Sequence, residues 1–410
     1  MCYTRQAFPP VAAFLVYMKL KSIAEVKNLR GKKVLLRLDC NVPLRGGKIA
    51  DDFKITRSLP TIQYLLERGA RVIIVSHLGR PKGAEKKLSL RPAQKLLEKL
   101  LGQKVELAPL ARVEHPEIFD RMKSGEAAML ENIRFLPGEE KNDTTLSKQL
   151  AKIADLFVLD GFAVAHRAAA SVAGVAKYAP SYAGLLLSAE IAALSKITTK
   201  PRRPLVMILG GAKPETKIPV LEFFLSKADA ILLCGTVAVE YFTALSGKKS
   251  FFTPALIRRI ESASRAGKII MPVDAVVGAK DGAEAELISA AEFQRSLSAG
   301  GIRKEMYDIG PATTQLFASR IKRAQTLIWN GAMGKFEVPV YSHATKAIAR
   351  LFVGRSKGHA FGVCGGGETV EVIRSLGLLS DIDLVSTGGG AMLEFLSGKK
   401  LPGLAALRKK

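Results

Sequence analysis

Apolar runs of four or five residues recur along the chain, each followed by polar residues and then by a stretch of helical periodicity. Val34–Leu38 leads into Asp39-Cys-Asn-Val-Pro43, and Val72–Val75 into Ser76-His-Leu-Gly-Arg-Pro81. Ala127–Leu130 leads into Glu131-Asn-Ile-Arg-Phe135, and Leu156–Leu159 into Asp160 and then His166-Arg167. The second half repeats the logic without repeating the sequence. Leu205–Leu209 precedes Gly210-Gly-Ala-Lys213, Ala230–Leu233 precedes Cys234-Gly-Thr236, Ile269–Val273 precedes Asp274, and Thr326–Trp329 precedes Asn330-Gly331. Unbroken apolar strands alternating with helices predict an α/β protein whose parallel sheets are covered on both faces. In such sheets ligands sit beyond the carboxyl ends of the strands, which is where the polar residues fall.

Two glycine-rich turns close the pattern. His359–Cys364 reads as a strand and Val370–Leu376 as an amphipathic helix, with Gly365, Gly366, Gly367, Glu368 and Thr369 between them. Glycines let the backbone turn sharply near a ligand, and the helix N-terminus favours phosphate. Thr369 is placed to cap that helix or touch phosphate, and Glu368 to face a metal. Ser386-Thr-Gly-Gly-Gly-Ala391 repeats the arrangement. One such turn is a weak signal; two put phosphate binding ahead of a plain turn.

Between the halves, Ala183–Ser195 reads as one long helix, and Thr198-Thr-Lys-Pro-Arg-Arg-Pro204 breaks the chain after it. The domain boundary is expected there. The halves differ in chemistry. The first places Arg37, Arg57, Arg80, Arg134 and Arg167, with His77 and His166, at or near strand ends. Arg37 lies inside its strand and is read as structural. The others read as a pocket for phosphate or carboxylate, which arginine forks bind in bidentate fashion. Asp39 and Asn41 could hold a hydroxyl or cap their turn; the histidines could contact ligand or be satisfied neutral groups. The second half offers glycines, Lys213, Lys217 and acidic residues, which suit a nucleotide with a metal. An anion pocket in one half and a nucleotide site in the other suggest phosphoryl transfer.

The 410 residues are 48% hydrophobic and 24% charged, enough for two or three globular domains. A net charge of +25 admits an anionic substrate, a nucleic-acid partner or a surface adapted to an unusual cell interior. The basic residues are scattered and not interleaved with aromatics, so nucleic acid is the lesser reading. Cys2, Cys40, Cys234 and Cys364 form no Cys-x-x-Cys pair, which points to a reducing compartment and no structural zinc. Phe8–Tyr17 is apolar but too short to span a bilayer, and residues 1–17 are expected to be a disordered or misassigned extension rather than an export signal.

Taken together, these motifs resemble phosphoglycerate kinase from about Met18 onward. The resemblance rests on Arg37-Leu-Asp-Cys-Asn-Val-Pro43, Arg57-Ser-Leu-Pro-Thr-Ile62, Ser76–Pro81, Glu131–Phe135, Ala165-His-Arg167, Gly210–Lys213, Trp329-Asn-Gly331 and Ser386–Ala391, in this order and spacing. It implies two Rossmann-like domains with parallel sheets joined by a hinge helix. The expected divisions are residues 18–182, a hinge helix and linker over 183–203, 204–395, and a tail over 396–410 packing back on the first domain.

The implied reaction is reversible phosphoryl transfer between ATP and 3-phosphoglycerate, with Mg2+. Asp39, Asn41, Arg57, His77, Arg80, Arg134 and Arg167 would hold 3-phosphoglycerate. Lys217, Gly310, Glu337, Gly366, Gly367, Glu368 and Thr369 would hold the nucleotide, with Glu368 toward the metal. Arg57, Lys213 and Gly389 would lie at the transferred group. A cytoplasmic monomer without membrane partners is expected. The nucleotide side departs from the family pattern at Pro214-Glu215, Cys234-Gly-Thr236, Ala332, Lys335 and Glu368, and the first half departs at Phe162-Ala-Val164. The alternative is a related metabolite-binding or interaction protein with weak nucleotide use, which an assay for ATP-dependent turnover separates from the enzyme.

Overall fold

A computed structural model describes residues 20–298 and 305–408. The expected extension over residues 1–17 and Cys2 lie outside the described residues. The chain divides into two compact units: one runs to Ser195 and takes in the residues from Lys400 onward, the other comprises Lys196–Lys399.

The first unit is built on six parallel strands: β1 (Lys33–Arg37), β2 (Arg71–Val75), β3 (Val105–Ala108), β4 (Ala127–Leu130), β5 (Leu156–Leu159) and β6 (Ser181–Ala183). Their order is β3-β4-β2-β1-β5-β6. Every residue of β4 and β5 is buried, so neither sheet face meets water and the apolar runs need no alternation. Arg37 aligns with Val75 on one side and Leu159 on the other. The residues that follow, Asp39, His77 and Asp160, therefore emerge along one edge. The helices are α1 (Phe53–Glu67), α2 (Arg91–Leu101), α3 (Thr144–Lys152) and α4 (Leu185–Thr199). α4 starts two residues later than the sequence pattern predicts and runs four residues further, across the division between the units.

The second unit has six parallel strands: β7 (Leu205–Leu209), β8 (Ala230–Leu233), β9 (Ile269–Ile270), then β13 (Thr326–Asn330), β14 (Phe361–Gly365) and β15 (Leu384–Val385). The order β9-β8-β7-β13-β14-β15 is that of a doubly wound Rossmann sheet, with the chain reversing direction between β7 and β13. An antiparallel sheet is inserted before β13, formed by β10 (Asp274–Gly278), β11 (Glu286–Ser289) and β12 (Glu305–Ile309) in the order β11-β10-β12. The run Ile269–Val273 thus yields only a two-residue strand, and the residues after it enter a different sheet. The helices are α5 (Pro214–Phe224), α6 (Gly235–Leu245), α7 (Pro254–Arg265), α8 (Ala290–Ser298), α9 (Pro311–Ile321), α10 (His343–Ser356), α11 (Gly367–Ser375) and α12 (Gly389–Leu396).

The short helix Pro402–Ala406 belongs to the first unit, where Gly403 N–H donates to the Ala165 carbonyl at 2.8 Å and Arg408 bridges to Leu20. Cys40, Cys234 and Cys364 are buried free thiols. Among the described residues no helix is long and apolar enough to cross a membrane.

Candidate functional site

The strand ends of the first unit gather charge in a fixed frame. Asp39 is buried just past β1 and accepts from Asn41 N–H at 3.0 Å and from Lys54 Nζ at 2.6 Å. Burial opposes its ionisation, but the Lys54 ammonium and these hydrogen bonds together hold its carboxyl below the usual value. Asn41 Oδ1 accepts from Gly79 N–H at 2.9 Å, tying the turn after β1 to the turn after β2. His77 is buried, with Nδ1 3.3 Å from Arg37 Nη2 and 3.9 Å from Asp39. Burial, then the Arg37 charge, push its pKa well below the usual value, so the imidazole is neutral and Nδ1 accepts.

Arg37 itself is sealed in: it donates through Nε to Ser171 Oγ at 2.8 Å, and Ser171 Oγ donates to buried Glu139 at 2.6 Å. It supports the site from beneath. The Glu131–Phe135 motif separates by role. Glu131 accepts from Leu90 N–H at 2.7 Å at the start of α2, and Asn132 Nδ2 donates to the Leu78 and Leu88 carbonyls at 2.8 and 2.9 Å. Those contacts fix the loop from which Arg134 donates to the Gly79 carbonyl at 2.5 Å. Arg134 also pairs with Glu140 at 3.0 Å, and Arg167 lies 3.8 Å from the same carboxylate oxygen. Arg80 is exposed at this edge and His166 is half-buried.

Arg57 is half-buried on α1, and the charge that opposes the effect of burial on it is Glu190, fully buried on α4. The side chain of α1 that reaches Asp39 is Lys54, one turn earlier. The sequence pattern offered only its helical spacing from Arg57. Glu140 was equally hidden, because nothing marks which of two adjacent glutamates faces a pocket.

In the second unit the turns after β7 and β13 meet at the point where strand order reverses. Gly210 N–H donates to the Asn330 carbonyl at 3.0 Å and Gly211 N–H to the Ala332 carbonyl at 2.9 Å. Gly331 has φ +92°, and a Cβ there would stand 2.1 Å from the Gly210 carbonyl oxygen, so only glycine allows the two turns to approach. Lys217, on α5, donates to Asn330 Oδ1, and Asn330 Nδ2 donates to the Gly365 carbonyl at 2.7 Å. Burial lowers the Lys217 pKa to about 8, with Glu368 the leading charge in opposition. α11 begins at Gly367, three residues before the predicted start, and its N-cap is Gly366. Thr369 is therefore inside the first turn, buried, and its Oγ1 accepts from Gly331 N–H at 2.7 Å instead of capping the helix. The two glycine turns abut: a Cβ on Gly389 would stand 3.2 Å from the Gly366 Cα.

A cavity of about 560 Å3 opens beside these turns. Glu337 and Glu368 line it with Gly211, Thr236 and Lys335, and Phe251, Phe293 and Tyr307 form an apolar wall. These aromatics come from separate elements, so no motif announced them. Lys213 is exposed and forms the N-cap of α5. Gly310 is the N-cap of α9, where the Asp274 carboxylate fills the place a Cβ would take, at 2.2 Å. Its need for glycine is thus met by the fold itself.

A Rossmann sheet with glycine turns and helix N-termini at its switch point, on the same chain as a second α/β unit with a basic strand edge, defines a phosphotransferase. The family model for phosphoglycerate kinase matches residues 23–399. The phosphoglycerate kinase of Fervidobacterium nodosum is 41% identical over 397 residues, covering 93% of this chain and 97% of that one. That of Dictyoglomus turgidum is 42% identical over 405 residues, covering 96% and 100%. The solved phosphoglycerate kinase of Coxiella burnetii superimposes with a TM-score of 0.80 at 38% identity, covering 95% of this chain and 98% of that one. The chain belongs to the phosphoglycerate kinase family, and is a kinase of glycolysis.

Proposed function

We propose that the strand edge of the first unit holds 3-phosphoglycerate and that the switch point of the second holds ATP or ADP. The observation that carries this reading is the charge layout. Arg80, Arg134 and Arg167 gather with neutral His77 at one edge, while Gly211, Glu368 and the N-termini of α5 and α6 line a cavity with aromatic walls, and Lys217 lies behind it on α5. Asp39 and Asn41 accept from the glycerate hydroxyl side, and the arginines clamp the phosphate. Glu337 faces the ribose, and Lys217, Gly366, Gly367 and the first turn of α11 face the phosphates. Lys213 reaches the transferred group, as does the N-terminus of α12 at Gly389. Arg57, on α1, is expected at the same place.

The nucleophile is a carboxylate, already ionised at neutral pH, so no general base is needed. A carboxylate oxygen bonds to the γ-phosphorus, the bond to the bridging oxygen breaks, and the electron pair leaves on ADP. The protein aligns the reactants and neutralises charge. Glu368 is the residue that would hold Mg2+. Its Oε2 lies 2.6 Å from where a Cβ on Gly211 would stand, so glycine leaves room at the carboxylate. Among the described residues no cluster of three His, Cys, Asp or Glu side chains could hold a metal alone. A single carboxylate completed by nucleotide phosphates and water suits Mg2+, which would supply charge neutralisation to those phosphates. The protein is read as a cytoplasmic monomer with no nucleic-acid role.

A coupled assay tests the reading. ADP release should require ATP, 3-phosphoglycerate and Mg2+ together. Arg134→Ala should raise the KM for 3-phosphoglycerate at least about tenfold with less effect on kcat, because a remote phosphate is held alike in ground and transition states. Activity without 3-phosphoglycerate dependence, or an unchanged KM, would reject the pocket.

A further inference from the structure

Charge lines the cavity of the second unit unevenly. Five of its lining residues are glutamates, and Lys335 is the one cation among those described. Other side-chain donors there are already engaged: Thr236 Oγ1 donates to the Gly211 carbonyl and the Tyr307 hydroxyl to Glu305. Lys335 is held against β12 by its own N–H, which donates to the Tyr307 carbonyl at 2.7 Å, an approach that the lack of a Cβ on Gly334 permits. Its half-buried side chain donates through Nζ to the Lys280 carbonyl, and the ammonium lies 5.7 Å from the Tyr307 ring centroid. Tyr307 in turn stacks on Tyr341, with ring centroids 4.8 Å apart. Lys335 and Glu305 thus both meet one fixed ring of the aromatic wall. An ammonium has three N–H donors, so two remain beyond the Lys280 carbonyl, and a carboxylate that accepts from one hydroxyl keeps room for further donors.

We propose that Lys335 and Glu305 select the nucleotide base, and that this cavity takes a 6-oxopurine nucleotide, guanine above all, at least as readily as an adenine one. The inference rests on the second unit being the nucleotide site. A base is a flat ring with a polar rim, so it belongs against the aromatic wall, while the glycine turn and helix starts suit phosphate. Guanine offers O6 and N7 to the two remaining ammonium donors, the pairing through which lysine reads guanine in DNA. Its N1–H and exocyclic amine can both donate to the Glu305 carboxylate. Adenine offers N7 to the lysine and its amine to the glutamate, one contact each, and has no acceptor at the place of O6. Hypoxanthine keeps O6 and N1–H but lacks the exocyclic amine, so it ranks between them. Lys335 is thereby a specificity-determining residue at one of the positions where this chain departs from the family pattern.

Steady-state kinetics with the Mg2+ salts of ATP, GTP and ITP at saturating 3-phosphoglycerate decide the matter, for the parent, Lys335→Met, Lys335→Arg and Glu305→Ala, with thermal melts confirming that each is folded. In the parent, kcat/KM for GTP should equal or exceed that for ATP, with ITP no higher than GTP. Lys335→Met should lower the GTP-to-ATP ratio about tenfold, and Lys335→Arg should keep it. Glu305→Ala should close the gap between GTP and ITP. If Lys335 only ties the turn at Lys280 to β12, Lys335→Met will lower Tm and leave the ratio within about threefold of the parent, and the proposal fails. It fails equally if the parent uses GTP more than about threefold less efficiently than ATP, a measurement that needs no variant. Absence of 3-phosphoglycerate-dependent turnover with all three nucleotides would reject the nucleotide site and this proposal together, whereas turnover with an unmoved ratio rejects the base assignment alone.

Discussion

Glu140 already occupies the arginines proposed to bind the substrate phosphate. Its carboxylate sits 3.0 Å from Arg134 and 3.8 Å from Arg167, although it is itself largely exposed. A bound phosphate must share those arginines with it or displace it. Glu140→Gln removes the competing charge and keeps the shape. The KM for 3-phosphoglycerate should therefore fall about two- to fivefold at low salt, the difference shrinking above about 0.15 M as screening rises. A raised KM would mean that Glu140 orients the arginines instead. Lys217 yields a second prediction. Its pKa of about 8 follows from burial, so its charge, and with it phosphate attraction, is lost as pH rises through that value. The nucleotide KM should climb between about pH 7.5 and 9, and Lys217→Arg, which stays charged, should flatten the climb. An equal climb in the variant would place the titrating group elsewhere.

Elements reveal a cost that the site does not explain. Asp308 is buried at the end of β12, accepting from Ala344 N–H at 3.1 Å at the start of α10. Burial raises its pKa to about 8 against these hydrogen bonds. A carboxyl whose pKa is raised by folding contributes most below its unfolded value, and that contribution is lost as pH rises through about 8. Asp308→Asn should therefore stabilise the protein at pH 9, by an order of 1–2 kcal/mol or a Tm rise of about 2–4 °C, and the gain should vanish toward pH 4. Melting curves across that range check it, and a loss of Tm at pH 9 would show that the ionised carboxylate is needed. The parallel strands were legible from sequence because burial on both faces leaves an unbroken apolar run. The inserted sheet was not, because β11 is mostly exposed and carries no such run. The polar strand ends were legible as a group, but not which neighbour faces inward: Lys54 and Arg57 differ only by one helical turn.

At the scale of the whole molecule, the proposed ligands bind to separate units, while in-line transfer requires reacting atoms about 3–3.5 Å apart with water excluded. Ligand-driven closure should therefore accompany catalysis, and the anchoring of α4 locates the joint. Its first turn is held in the first unit, where Leu186 and Leu187 N–H donate to Asp160 at 3.0 and 3.2 Å. From Lys196 onward it is held in the second: the Lys196 ammonium lies 4.5 Å from the Phe361 ring centroid, and Lys227 Nζ donates to the Thr198 carbonyl at 3.3 Å. The segment after it is pinned as well, by Arg203 to Asp229 at 2.7 Å and Leu205 N–H to Asp229 at 2.6 Å. Flexing is therefore expected in the middle of α4, about residues 188–195, within the helix and linker over 183–203 where the sequence places the hinge, rather than in their proline-bounded end. A few residues suffice to absorb such a motion. Small-angle scattering should show a smaller radius of gyration with a non-hydrolysable ATP analogue, Mg2+ and 3-phosphoglycerate together than with either ligand alone. Hydrogen exchange should change in 188–195 and stay constant in 200–205. An unchanged radius at demonstrated double occupancy would rule out closure, and exchange changes confined to 200–205 would place the joint in the proline-bounded segment.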